Sequence, residues 1–164
     1  MFWLLLLVSI SGSPASAIQG ESFDIVASAS ALTPGASYYT KMRLGTSSTS
    51  LNKGQTFNAA NDAPDDWLSD TDGYALFPSV TADPQGNWQG TITGRAAPDA
   101  AVGDNLMLIR LRKTDGNSNY DSAPVSLRVD AAPTSTPTPI PPTGTPTPTP
   151  TLIPVPTRTP KATK

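Results

Sequence analysis

Apolar and polar residues alternate along most of positions 22–130, and a period of two predicts strands. Phe23, Ile25, Ala27 and Ala29 are interleaved with Asp24, Val26, Ser28 and Ser30, and Thr33-Pro34-Gly35 ends that run. Tyr38, Thr40, Met42 and Leu44 form one face of the next strand, with Tyr39, Lys41 and Arg43 on the other. Gln55 to Asn58 reads as a short strand. Met107, Ile109 and Leu111 share a face within 106–112, Asp115-Gly116-Asn117 turns the chain, and Val125, Leu127 and Val129 mark the last strand.

The stretch from Ala75 to Ile92 reads as strand, tight turn, strand. Its turn chemistry is Asp83-Pro84-Gln85-Gly86-Asn87, where Pro fixes φ, Gly permits positive φ, and Asp and Asn bond their own backbone. Trp88, Gly90 and Ile92 then point inward. The predicted core is Phe23, Ile25, Met42, Phe77, Trp88, Ile92, Ile109, Val125 and Leu127. Between Asn61 and Gly73 lies an acidic loop in which Trp67-Leu68 is expected to fold back as an apolar plug. No stretch of ten residues keeps a 3.6 period without Gly or Pro breaking it. About seven short strands with turns between them predict an all-β, antiparallel sandwich.

Both ends of the chain read differently. Phe2 to Val8 is unbroken apolar, Gly12 and Pro14 follow, and Ala15-Ser16-Ala17 has the small-x-small form of a cleavage site. Residues 1–17 therefore read as a signal peptide cut after Ala17, with a short buried strand or anchor as the alternative; no Lys or Arg precedes the run. Residues 133–164 hold 11 Pro and 11 Thr, so they are expected to be a disordered, extended linker or stalk with mucin-like character. Ile140-Pro141-Pro142-Thr143-Gly144 has the look of a wall-sorting signal but is followed by more Thr-Pro, which makes it a chance match. That leaves 18–132 as one domain, secreted or at the cell surface, and a stalk suggests a longer protein.

Composition narrows the chemistry. The chain has no Cys and no His, which removes disulfides, thiolate sites, the commonest general base and the commonest metal ligand. Within 18–132 there are eight Lys and Arg against thirteen Asp and Glu, a balance that argues against nucleic acid and anionic membrane surfaces as partners. Asp70-Thr71-Asp72-Gly73 looks like half of a calcium loop, yet no carboxylate stands at the remaining spacing and Glu21 is the only Glu. Asp70 and Asp72 are thus weak metal candidates beside a turn reading, and no cofactor is expected. Asp pairs are plentiful, but a catalytic cleft is not expected in a sandwich of this size. Tyr39, Tyr74 and Tyr120 are candidates for stacking on a sugar ring, with packing as the plainer account of each.

The Pro78-Ser79-Val80 strand, the turn Thr81-x-Asp83-x-x-Gly86-x-Trp88, and Asn117 to Val129 together resemble bacterial immunoglobulin-like and fibronectin-type-III-like exported modules. Such modules occur in multidomain surface proteins of uncultured bacteria and continue through Thr-Pro linkers, in places beside lamin-tail-like domains. The chain lacks the immunoglobulin Cys pair, and its Trp and Tyr are not at the usual fibronectin positions. The resemblance implies an immunoglobulin-like sandwich and a non-catalytic structural or adhesive role, with a surface protein or glycan as partner. The alternative is a carbohydrate-binding accessory module of a secreted hydrolase.

Overall fold

Alternation is strictest in two segments, Ser37–Gly45 and Gly103–Lys113, and these pair antiparallel from Tyr38 against Lys113 to Gly45 against Leu106. Their inward side chains Tyr38, Met42, Leu44, Met107, Ile109 and Leu111 are all buried. The computed structural model describes residues 6–60 and 66–134. Asp62, Asp65, residues 1–5 of the apolar run and nearly all of the Thr/Pro tract lie outside the described residues.

The strands are β1 (Leu7–Gly12), β2 (Ser16–Ile18), β3 (Ser22–Ser30), β4 (Ser37–Gly45), β5 (Gly54–Phe57), β6 (Trp67–Ser69), β7 (Ser79–Thr81), β8 (Trp88–Ala96), β9 (Gly103–Lys113), β10 (Asn119–Asp121) and β11 (Val125–Asp130). A 3₁₀ turn, Tyr74–Leu76, precedes β7. The protein is all-β, in two sheets. The first runs β1-β3-β8-β5-β6; the second runs β2-β11-β9-β4-β7, with β10 also beside β9. One core cluster draws on both, with Val8, Ile25, Ala27 and Ile92 from the first sheet and Met42, Ile109, Leu127 and Val129 from the second. Full burial stabilises each large apolar side chain by about 1.5–3 kcal/mol over exposure. The sheets are also tied along β4 and β5, where Met42 N–H donates to Thr56 Oγ1 at 2.8 Å and Lys53 N–H to the Leu44 carbonyl.

Of the expected core residues, Ile25, Met42, Ile92, Ile109 and Leu127 lie in this cluster, and Phe23, Trp88 and Val125 pack half-buried at its rim. Phe77 is buried elsewhere, against Lys41 on the outer face of the second sheet.

The segment from Ala75 to Ile92 is not a hairpin. β7 pairs with β4 in the second sheet, whereas β8 pairs with β3 and β5 in the first. The turn itself forms as its sequence predicts: Asp83 Oδ1 accepts the Gln85 and Asn87 N–H groups, and Gly86 sits at φ +78°. What separates the arms is the β3–β4 connection. Leu32 N–H donates to the Gly86 carbonyl, Gly35 N–H to the Ala82 carbonyl, and Ala82 N–H to the Ala36 carbonyl. Backbone groups that would have closed a hairpin are thus taken by a third segment. The expected strand residue Leu76 instead ends the 3₁₀ turn. Trp67-Leu68 is likewise no loop plug: it forms β6 against β5, with Leu68 1% exposed.

The last two strands do not pair with each other either. β10 and β11 lie end to end along one edge of β9, Asp121 opposite Arg110 and Val125 opposite Met107. Four residues on that side span three on β9, a bulge of one residue. Pro124 has no N–H to offer there. Ser122 fills the gap by giving its own N–H to the Ile109 carbonyl and accepting Ile109 N–H on its hydroxyl at 3.1 Å.

Residues 7–18 belong to the same core. β1 pairs antiparallel with β3, Val8 opposite Ala29, and β2 pairs parallel with β11, Ala17 opposite Val129. Val8 and Ala17 are 2% and 8% exposed. The 18–132 boundary thus leaves out β1 and most of β2, although both pair within the sheets. The expectation of purely antiparallel pairing fails at β2–β11, because strands from opposite ends of the domain are joined by the long chain between them and need no short connection.

Candidate functional site

The outer face of the second sheet gathers charge. Register places Lys41 opposite Arg110, and Tyr39 opposite Arg112. Like charges side by side on a sheet repel, so something must compensate. The compensation comes from residues 70–78, which cross this face between β6 and β7. Lys41 Nζ donates to the Asp70 carbonyl at 2.8 Å and lies 3.5 Å from its carboxylate. Arg43 makes a two-pronged bond to the same carboxylate at 3.0 and 3.1 Å. The Lys41 ammonium also sits 4.4 Å from the Tyr74 ring centre and 4.5 Å from that of Phe77. These contacts leave Lys41 only 2% exposed.

Arg110 is held by Asp121 through two bonds of 2.6 Å. Its pKa is raised, chiefly by the bond to Asp121 and further by Tyr74, with desolvation opposing. Asp72 caps its own turn, Oδ2 accepting the Ser69 N–H and hydroxyl. The two metal candidates are therefore committed to a cation pair and to a turn, and among the described residues no cluster of three metal-ligating acids forms.

Two of the three separate stacking candidates, Tyr39 and Tyr74, come together, lining an open cleft of roughly 560 Å³ beside the β9–β10 turn. Tyr74, however, already carries two cations, since Arg112 lies 4.3 Å from its ring centre in addition to Lys41. Arg112 is fixed from the other side by the Gly116 carbonyl and the Asn117 side chain. A ring so engaged has little face left for a sugar. Tyr120 is not part of this cleft; it stands edge-on to Tyr38, half-buried against the core.

A second cleft of roughly 580 Å³ was not foreseen. Trp88, Asp83, Asn87, Gln89, Ser28 and Ser30 line it, at the end of the first sheet where β3 finishes and β8 begins. The pairings Ala29–Trp88 and Ser28–Gln89 join these groups across long sequence separations, which a single strand pattern cannot reveal. The sequence did carry one signal. Gly90 follows Trp88 on the same face, and a Cβ there would come within 3.0 Å of the Trp88 ring carbon Cζ2. The indole thus lies back across its own strand. A smaller recess of roughly 190 Å³ holds the Lys53–Asp99 pair at 2.6 Å and Asn105, whose buried Oδ1 has no partner among the described residues.

No family model matches the chain, and no curated protein matches it. Solved structures are similar only distantly. The sporulation control protein Spo0M of Bacillus subtilis is 14% identical with TM-score 0.45, over 77% of this chain and 50% of its own. Macromomycin is 14% identical with TM-score 0.40, over 73% of this chain and 97% of its own. A family 123 glycoside hydrolase from Clostridium perfringens is 13% identical with TM-score 0.42, over 78% of this chain and 28% of its own. The chain thus spans half the length of Spo0M, and none of these likenesses bears on activity.

Proposed function

We propose that the protein is a non-catalytic, exported module of immunoglobulin-like topology that serves surface display or adhesion. The strand order supports the topology. β1-β3-β8-β5 follows the A-B-E-D order of one immunoglobulin sheet, and β4-β9-β11 the C-F-G order of the other, with β2, β6 and β7 added at edges. The observation that carries the non-catalytic reading is the fate of the reactive side chains. Lys41, Arg43, Asp70, Arg110 and Asp121 are spent on one another across the outer face of the second sheet. A catalytic group must instead reach a substrate. Export rests on the sequence reading of the apolar run Phe2 to Val8 alone, and the pairing of β1 and β2 requires that this segment stay attached after export.

The test is adhesion of beads carrying the 164-residue chain to bacterial and polysaccharide-coated surfaces, alongside assays with chromogenic esters and glycosides. Retention without turnover is expected. Turnover above blank that disappears on substituting one Asp would overturn the reading.

A further inference from the structure

We infer that the Trp88 cleft binds a neutral saccharide. This rests on the adhesive reading and gives it a site and a ligand class. The first argument is the ring. Trp88 is half-buried at the rim of the core and is among the residues that line the cleft, and its indole lies flat over Gly90 along β8. A flat aromatic face with a polar handle suits the C–H face of a pyranose ring.

The second argument is the polar rim. Among the described residues no hydrogen bond engages the side-chain amide of Asn87 or Gln89, the Ser30 hydroxyl, or the second carboxylate oxygen of Asp83. Two amides, a hydroxyl and a carboxylate oxygen supply both donors and acceptors, as paired hydroxyls on a sugar require. Their supports are fixed: Asp83 is clamped by two backbone N–H groups, and Ser28 shares a 2.9 Å bond with Ser9.

The third argument is charge. No Lys or Arg is among the lining residues, and Asp83 is. Phosphates and uronates are therefore disfavoured, whereas the Arg112 cleft on the other sheet carries Arg112 and Lys113 and has its Tyr74 ring occupied.

The experiment is nuclear magnetic resonance on the isotope-labelled 164-residue chain, titrated with cellohexaose, mannohexaose and chitohexaose, and with inorganic phosphate as the anionic control. The Trp88 indole N–H and the Asn87 and Gln89 side-chain amides should shift with at least one neutral hexamer and not with phosphate. Asn87→Ala and Gln89→Ala should each weaken that binding about tenfold, the scale of losing a hydrogen bond to an otherwise unpaired group, at unchanged melting temperature. Shifts centred on Tyr39, Tyr74 and Arg112 would overturn the assignment, as would no shift with any neutral hexamer. If no hexamer binds while the coated beads still adhere, the saccharide site fails and the adhesive reading stands. If adhesion is lost as well, both fail.

Discussion

Lys41 donates to the Asp70 carbonyl at 2.8 Å on the outside of a sheet and is nevertheless 2% exposed. The chain from Asp70 to Phe77 buries it by laying two rings and a carboxylate over it. Removing one partner of such a pair leaves the other buried and uncompensated, which costs about 3–5 kcal/mol, unless the remaining partner keeps a second counter-charge. Asp70→Ala should therefore destabilise by about 3 kcal/mol, because it leaves Arg43 unpaired and Lys41 with the backbone carbonyl but no counter-charge. Lys41→Met should cost about 1 kcal/mol or less, since a thioether sits well between aromatic rings and Asp70 keeps Arg43. Urea unfolding of both variants measures the difference; equal losses would show that the carboxylate does not hold this segment down.

Ser122 stands in for a missing backbone partner at the bulge between β10 and β11. Ile109 N–H donates to its hydroxyl in a fully buried setting, and Ile109 itself is 0% exposed. Ser122→Ala should cost about 1–3 kcal/mol, the penalty for an unsatisfied buried donor. Hydrogen exchange at the Ile109 amide should speed up more than at Met107 or Leu111 on the same strand. Unchanged protection at Ile109 would mean another acceptor replaces the hydroxyl.

Asp99 is exposed, yet its pKa lies below the ordinary value of 3.8, mainly through the 2.6 Å bond from Lys53. A depressed carboxyl pKa means that the unfolded chain takes up this proton first as pH falls. The contribution of Asp99 to stability is therefore present above pH 3.8 and lost as pH drops through the lower folded value. Full exposure keeps it small. The carboxyl carbon shift of Asp99 should titrate with a midpoint below 3.8 in the native protein and move back towards it in Lys53→Ala. A midpoint indifferent to that substitution would remove Lys53 as the cause.

Period-two alternation was enough to read β3, β4, β9 and β11 and their inward faces, because both sheets bury one side and a strand slipped by one residue would turn that side outward. Sheet membership was not legible. The turn at Asp83–Asn87 has good local chemistry, but whether its arms pair depends on Leu32, Gly35 and Ala36, which lie about fifty residues upstream. Tyr39 was readable as a neighbour of charge, since β4 displays Tyr39, Lys41 and Arg43 on one face, whereas Tyr74 was readable only as a residue near a loop. That Tyr74 would be engaged by Lys41 and Arg112 depends on how residues 70–78 cross the sheet, which no periodicity encodes. The Trp88 cleft was hidden for a similar reason, since an aromatic on an inward face reads as core until its place at the end of the sheet is known.

The amino-terminal strands give the most consequential prediction. Leu7–Gly12 overlaps the run that reads as an export signal, with a short buried strand or anchor as the alternative, because each needs a short apolar run. In the fold it is a strand. β1 covers the free edge of β3, and Val8 enters the core opposite Ala29. At Pro14 the chain leaves the first sheet, and β2 then pairs with β11, the Ala15 carbonyl accepting Arg128 N–H at 3.1 Å and Ala17 facing Val129. Cleavage after Ala17 would strip an edge strand from each sheet and open the core at Val8 and Ala17. The loss exceeds that of a single large-to-small core change, itself about 2–5 kcal/mol. Residues 18–164 should therefore melt well over ten degrees below residues 1–164, or fail to fold, on a scale where about 1 kcal/mol shifts the midpoint of a domain this size by several degrees. Mass spectrometry of folded protein recovered from expressing cells should likewise find Leu7 to Ile18 retained. If the shorter chain melts within two or three degrees of the longer one, β1 and β2 are dispensable, and Ala15 and Ala17 can serve as the cleavage site that their small side chains suggest.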